Sequence, residues 1–278
     1  MIKTEDNRRY SKLLETLAIN CEECCGICCT ALYYTKMDGF PEDKAAGKPC
    51  GNLRDDFKCS IHNKLTEYKL KGCMAYDCFG AGQKVTQSTY GGLDWKKNPK
   101  LAEQMFQVFL TVFELHQMLW YLIQAVMIIS DDVLKNHIDR LIEENVKMTK
   151  LSAEELFRLE LEPYRNRVNQ ALKETCNLVH SNIQSSSDKK HHVDYMGKSF
   201  KKQNLDGKDF SMTLLIAANL EGCSLNATNF LGADMRDTNL KNTDLTKSLF
   251  LTQMQINTAM GNKNTRLPEY LNMPETWQ

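Results

Sequence analysis

Nine of the chain's eleven cysteines fall between Cys21 and Cys78, and thiols at that density serve one of two chemistries, disulfide formation or metal ligation. The run CEECCGICC places Cys21, Cys24, Cys25, Cys28 and Cys29 within nine residues. Cys50, Cys59, Cys73 and Cys78 follow singly, with His62 three residues after Cys59. A core uses cysteine as a small hydrophobe, one at a time, so the cluster is not core filler. The first twenty residues are charged throughout and lack both an apolar segment and a small-residue cleavage site. They do not read as a signal peptide, and the expected location is the cytoplasm. In a reducing compartment a dense cysteine pattern points to metal ahead of disulfides or metal-free redox thiols. All nine cysteines are therefore candidate ligands. Tetrahedral zinc takes four thiolates and an iron–sulfur cluster takes four, so two zinc sites or two clusters would each fit the count; spacing does not choose.

The elements that must position these thiols are weak on their own. Residues 9–20 read as a short amphipathic helix leading into the cluster. The stretch DGFPEDKAAGKPCGNL is rich in Gly and Pro and promises little core, so ligation is expected to supply much of its folding energy. A short amphipathic helix is expected between Cys59 and Cys73. Gly80-Ala81-Gly82, followed by Gln83 and Lys84, invites a phosphate-loop reading, but no GK[ST] accompanies it and a tight turn is the plainer expectation. Residues 86–98 read as a polar linker.

From 99 to 184 the pattern becomes helical. A helix over 100–129 is apolar, yet Gln107, Thr111, Glu114, Gln117 and Gln124 recur along it and no apolar run reaches the ~18 residues of a span. It is expected to be a buried helix without a membrane role, its wide apolar face meeting other helices or, in a homodimer, a second subunit. His116 on it reads as a satisfied core histidine. A second helix covers 131–150, with Asp131 and Asp132 at its start. Ser152-x-x-Glu155 is a capping box that opens a third, and Pro163 restarts a fourth, whose stripe includes Cys176 as core. His191-His192 closes a polar linker and reads as solvated.

The last segment repeats every five residues. Large apolar side chains recur from Tyr195 through Phe210, Leu220, Phe230 and Leu240 to Phe250, with a small residue two positions before most of them, Cys223 among these. Neither helix nor ordinary strand has that period, so stacked coils are expected, about three of them from twelve pentads. The tail beyond Phe250 reads as a short helix and a Pro-containing strap that caps the stack.

Two resemblances follow from these residues. Cys21, Cys24, Cys28, Cys29, Cys50, Cys59 and Cys73 match the pattern of the bacterial CxxxCC proteins, which implies zinc or iron chelation; Cys25 and Cys78 are extra, and His62 stands where that family more often has an aromatic. Ala218-Asn219-Leu220 and Ala233-Asp234-Met235 resemble the unit of the pentapeptide-repeat family. That resemblance implies a right-handed quadrilateral β-helix, and hence an α+β multidomain protein. The expected division is a cysteine-rich metal segment (1–85), a helical bundle (99–184), the β-helix (193–252) and a cap (253–278). The order of parts is similar to a group of bacterial pentapeptide-repeat proteins that includes the oxetanocin A resistance protein, implying antibiotic resistance or self-protection.

Charge narrows the function classes. The 35 basic and 35 acidic side chains cancel, so no global field draws in nucleic acid or anionic membrane. Residues 196–250 carry seven Lys/Arg against six Asp/Glu, too balanced for a DNA mimic acting on a topoisomerase. The leading expectation is a metal-binding protein, zinc or iron–sulfur, that acts through an unidentified protein partner. The alternative is an iron–sulfur redox enzyme, with Tyr76, Asp77 and Lys84 beside Cys78 as first candidates. No triad or paired-carboxylate site is legible, so catalysis would rest on the metal alone.

Overall fold

The computed structural model describes residues 2–181 and 193–278, and the chain divides into two compact units, 1–73 with 77–172, and 74–76 with 173–278. His191-His192 lies outside the described residues. Nine α-helices are described: α1 (Ile2–Thr16), α2 (Ile27–Ala31), α3 (Lys71–Ala75), α4 (Ala81–Gln83), α5 (Ala102–Ile128), α6 (Asp132–Met148), α7 (Ala153–Phe157), α8 (Glu162–Ser181) and α9 (Gln253–Thr258).

The first unit is built on α5. Met105, Val108, Phe109, Val112, Leu115, Leu122 and Ile123 have no exposed surface, and α1, α4, α6 and α7 pack against the helix. By length and composition the stretch Pro99–Ile128 could cross a membrane; 61% of its most apolar window is buried inside the protein. α6 starts where the sequence predicts, because the Asp131 carboxylate accepts the Leu134 N–H (2.7 Å) at the positive helix end. It presents Ile138, Leu141 and Ile142 to the core, and Asn145 donates to the Leu115 carbonyl (2.9 Å). α7 opens with the reciprocal Ser152–Glu155 capping box. Tyr10 ties α1 down by donating to Asp139 (2.7 Å).

Two local expectations fail. No continuous helix joins Cys59 to Cys73: a 3-10 turn covers only His62–Lys64, turns follow up to Lys69, whose φ is positive (55°), and only Lys71–Ala75 is α-helical. The expected linker begins instead as a π-helical turn, Lys84–Thr89, continuous with α4.

In the second unit the expected right-handed quadrilateral β-helix, and with it the α+β class, is corrected. No β-strand or sheet forms among the described residues. Single-residue parallel bridges link positions twenty apart: Asp194 to Leu214, Ser199 to Asn219, Asn204 to Ser224, and so on to Asn229 and Leu249. The reason lies in each pentad. Only the bridged residue and its large neighbour are extended; two residues beyond the large side chain the backbone is left-handed, at Gly207, Met212, Ala217 and Gly222 for example, and a turn intervenes before the next bridge. A strand needs consecutive bridged residues, and a turn in every five forbids them.

The inward pattern is as the period predicts. All twelve large residues from Tyr195 to Phe250 and all eight small ones from Thr213 to Ser248 are buried. Phe210 stacks on Phe230 at 5.8 Å between centroids. The small polar residues earn their positions by hydrogen bonding, the hydroxyls of Thr228, Thr238, Thr243 and Ser248 and the Cys223 thiol each donating to the carbonyl 23 residues earlier. The tail covers the stack: Thr252 and Gln255 form a capping box for α9, and Gln255 donates to the Phe230 and Ala233 carbonyls (2.7 and 3.0 Å). Trp277 is buried over Gly261, where a Cβ would lie 2.2 Å from the indole. Cys176 is buried, as expected of a core residue.

Candidate metal centre

All nine clustered cysteines belong to the first unit, and three local devices position them. The first is the end of α1. Asn20 accepts the Glu22 N–H (3.1 Å) and so shapes the 3-10 turn Cys21–Glu23. Gln83 clamps that turn from α4, accepting from Asn20 N (3.0 Å) and donating to the Ala18 carbonyl (2.6 Å). Gly26 then takes the left-handed conformation (φ 67°) that starts α2, where a Cβ would lie 2.8 Å from Leu53. α2 carries Cys28 and Cys29 with their sulfurs 4.0 Å apart.

The second device is a small hairpin. Leu53 bridges Cys59 antiparallel, Ser60 N donates to the Asn52 carbonyl (2.8 Å), and Cys50 N donates to the Cys29 carbonyl (3.0 Å). Cys50 and Cys59 are thereby brought to the start of α2. The Cys50 sulfur accepts the Asn52 N–H at 3.4 Å.

The third device is the Cys78 turn. His116 from α5 bonds the Phe79 carbonyl through Nδ1 (2.6 Å), and Phe79 packs between Phe113 and Trp120. Asp77 accepts the Phe79 N–H (2.7 Å). Burial first, and then Lys84, holds the His116 pKa down at about 4, so the imidazole is neutral and Nδ1–H donates. This is the satisfied core histidine the sequence predicts. Gly82 passes so close to the thiols that a Cβ there would lie 2.7 Å from the Cys24 sulfur and 3.9 Å from that of Cys78.

The hairpin and α2 border one cavity, which the Cys78 turn does not line. A cavity of ≈ 30 Å³ is lined by Cys29, Cys50, Cys59 and Cys73, together with Tyr34, Phe40, Asn52, Leu53, Leu65 and Leu70. Its floor is a core of only three buried residues, Tyr34, Phe40 and Leu70. Exposed His62 does not line it, and neither do Asp77 and Lys84. Among the described residues no group of three or more His, Cys, Asp or Glu is drawn in to the spacing of a metal polyhedron.

The thiols are electrostatically distinct. Burial, then Cys29, Cys50 and Cys59, pushes Cys73 up to about 12. Desolvation, then Cys78 and Cys24, raises Cys21 to about 11, and Cys78 reaches about 11 chiefly by burial. Cys29 moves the other way, because the Cys28 thiol donates to it and Lys44 lies near. Lys44 is itself fixed by donating to the carbonyls of Thr30, Ala45 and Lys48. Cys25 faces elsewhere: its sulfur meets the Thr86 hydroxyl (3.3 Å) and Met105 sulfur (3.9 Å), and Trp95 donates to its carbonyl (2.8 Å).

Sequence reasoning missed Thr86, Trp95 and Lys44. They act through backbone and sulfur contacts in a fold whose pairing no local pattern announces.

Residues 213–250 match the family model of Pentapeptide repeats, in eight copies. The chain is 41% identical to the uncharacterized protein YybG of Bacillus subtilis (strain 168), over 280 residues that cover 100% of this chain and 99% of the relative. No solved structure matches the chain significantly. With eight repeat copies and a relative matched from end to end, the chain is a pentapeptide-repeat protein and belongs to the family of YybG.

Proposed function

We propose that this is a metal-binding protein whose cysteine-rich segment is held together by thiophilic ions, and whose repeat offers a rigid surface to a protein partner. The observation that carries the metal reading is the convergence of Cys29, Cys50, Cys59 and Cys73, from four separate stretches of sequence, on one cavity. Thiols so placed are desolvated and repel one another as thiolates, and a bound cation reverses both penalties. The donor set is soft, and the Asn52 N–H already points at the sulfur of Cys50, the outer-shell support that metal thiolates receive. The segment needs such help, since a three-residue core supplies little folding energy.

Zinc fits this reading better than an iron–sulfur cluster. A cavity needs ~10–15 Å³ of such space to hold one water, so ≈ 30 Å³ suits a single ion and not a multi-iron cube. Bound zinc would supply charge neutralisation and cross-linking; the chain's residues supply the shape. The resemblance-based use, antibiotic resistance or self-protection, is the setting in which a partner should be sought.

Elemental analysis of anaerobically purified protein, with thiol alkylation before and after a chelator, tests the metal reading. Zinc in the preparation, with cysteines that become reactive only after chelation, is the expected result. A metal-free protein whose clustered thiols all react at once overturns it.

A further inference from the structure

Independently of the metal reading, we infer that the first coil of the stack, 193–210, is an end that fits a coil of a second copy of this chain, and that Lys198, Gln203 and Lys208 keep it shut. Within the stack, Leu214, Asn219, Ser224 and Asn229 each turn both backbone polar groups to the coil below. Their N–H groups donate to the carbonyls of Val193, Lys198, Gln203 and Lys208 (2.8–3.1 Å), and their carbonyls accept from Tyr195, Phe200, Leu205 and Phe210 (2.8–2.9 Å). The equivalent residues of the first coil, twenty positions earlier, are Asp194, Ser199, Asn204 and Asp209. All four are exposed, and among the described residues their backbone N–H and C=O groups have no hydrogen-bond partner. The tail covers the opposite end, where Met260 bridges Asn239 and Arg266 bridges Asp244.

That edge fits one kind of occupant. Each pentad offers a single bridging residue and then turns, so a partner must offer one bridging residue in five and turn in step. An ordinary strand runs straight and leaves the register at the first turn. Another coil of the same repeat keeps it, and a second copy supplies one. The residues that bar it depart from the repeat. Cys223 and Thr228 reach down to the carbonyls of Phe200 and Leu205, so the position two before the large residue faces the coil below. One coil up it holds Ala218, Cys223 and Thr228, all small and buried, whereas the first coil has Lys198, Gln203 and Lys208 in the same columns. The Lys198 ammonium lies 5.3 and 5.1 Å from the ring centroids of Tyr195 and Phe200, which pack edge to face with each other and with Phe210. Two such ends meeting would press Lys198 and Lys208 of each copy against those of the other and strip them of water. Lysines on an open edge, and polar outer faces on terminal repeats, are how such edges are kept from pairing.

Amide hydrogen exchange and sedimentation velocity over a concentration series, both on the full-length chain, test this. In the wild type the amides of Asp194, Ser199, Asn204 and Asp209 should exchange as free groups, while those of Leu214, Asn219, Ser224 and Asn229 are protected. The variant Lys198→Ala/Gln203→Thr/Lys208→Thr carries residue types that the coils above use in this position. It should gain mass with concentration, to twice that of the wild type, and its four edge amides should become protected. Gln203→Thr alone keeps both lysines and should sediment as the wild type does. Far-UV circular dichroism accompanies each variant; if the triple variant has lost its signal, Lys198→Ala/Lys208→Ser takes its place. Three results would each overturn the inference: edge amides already protected in the wild type, a folded variant that sediments as the wild type does, or a heavier variant whose edge amides stay open.

Discussion

Lowering the pH from 7 to 5 should cost the wild-type protein about 2 kcal/mol that a His116→Gln variant keeps. His116 is buried, and burial, then Lys84, depresses its pKa from 6.5 to about 4 in the folded state. Above 6.5 the imidazole is neutral in both folded and unfolded chains, and its contribution to stability is constant. Between 6.5 and 4 the unfolded chain takes up a proton that the folded chain refuses, so stability falls as pH falls. At ~1.4 kcal/mol per pH unit, the loss is about 2 kcal/mol at pH 5 and about 3 kcal/mol at pH 4. Glutamine retains an N–H for the Phe79 carbonyl but does not titrate, which isolates the term. The assay is urea unfolding of metal-free, reduced protein at pH 7, 6 and 5. Acid effects from the carboxylates are common to both proteins and cancel in the difference. Equal slopes for wild type and variant, or an NMR titration that places His116 near 6.5, would refute the reasoning.

Other consequences follow from particular contacts. Phe230→Ala opens a void at a position with no exposed surface beside stacked Phe210, and should lower stability by about 3–5 kcal/mol in urea titration. Thr228→Val keeps the volume but removes one of two hydrogen bonds to the Leu205 carbonyl, which keeps that of the Lys208 N–H (2.9 Å), so a loss of about 0.5–1.5 kcal/mol is expected by the same measurement. Gly80→Ala places a Cβ 2.7 Å from the Thr16 carbonyl in a left-handed residue; the thermal midpoint should fall, reflecting at least the ~1–2 kcal/mol of the backbone strain alone. Ser152→Ala removes one half of the α7 capping box and should cost about 1 kcal/mol.

Legibility in the sequence tracked how local each determinant is. The pentad period announced which side chains of 195–250 point inward, since one chemical choice is repeated at every fifth position and all of them are buried. It did not announce the absence of strands. That depends on left-handed turns at residues such as Met212 and Ala217, where no glycine advertises the conformation. Helix starts were legible at Asp131 and Ser152 because the capping residue and its partner lie within one turn. The π-turn Lys84–Thr89 read as a linker because its Thr, Gln and Ser residues have weak helix propensity, and the turn packs with α4 and α5. In the cysteine segment, composition pointed to metal chemistry, but spacing could not separate Cys25 from its neighbours. The residues that meet Cys25, namely Thr86, Trp95 and Met105, come from more than sixty residues away.

The central claim is most directly tested by X-ray absorption at the zinc edge of protein purified without oxygen. The account predicts four sulfur neighbours per zinc at about 2.3 Å, with no nitrogen or oxygen shell. A spectrum with nitrogen or oxygen ligands in place of sulfur, or a protein with no zinc to absorb, would contradict it.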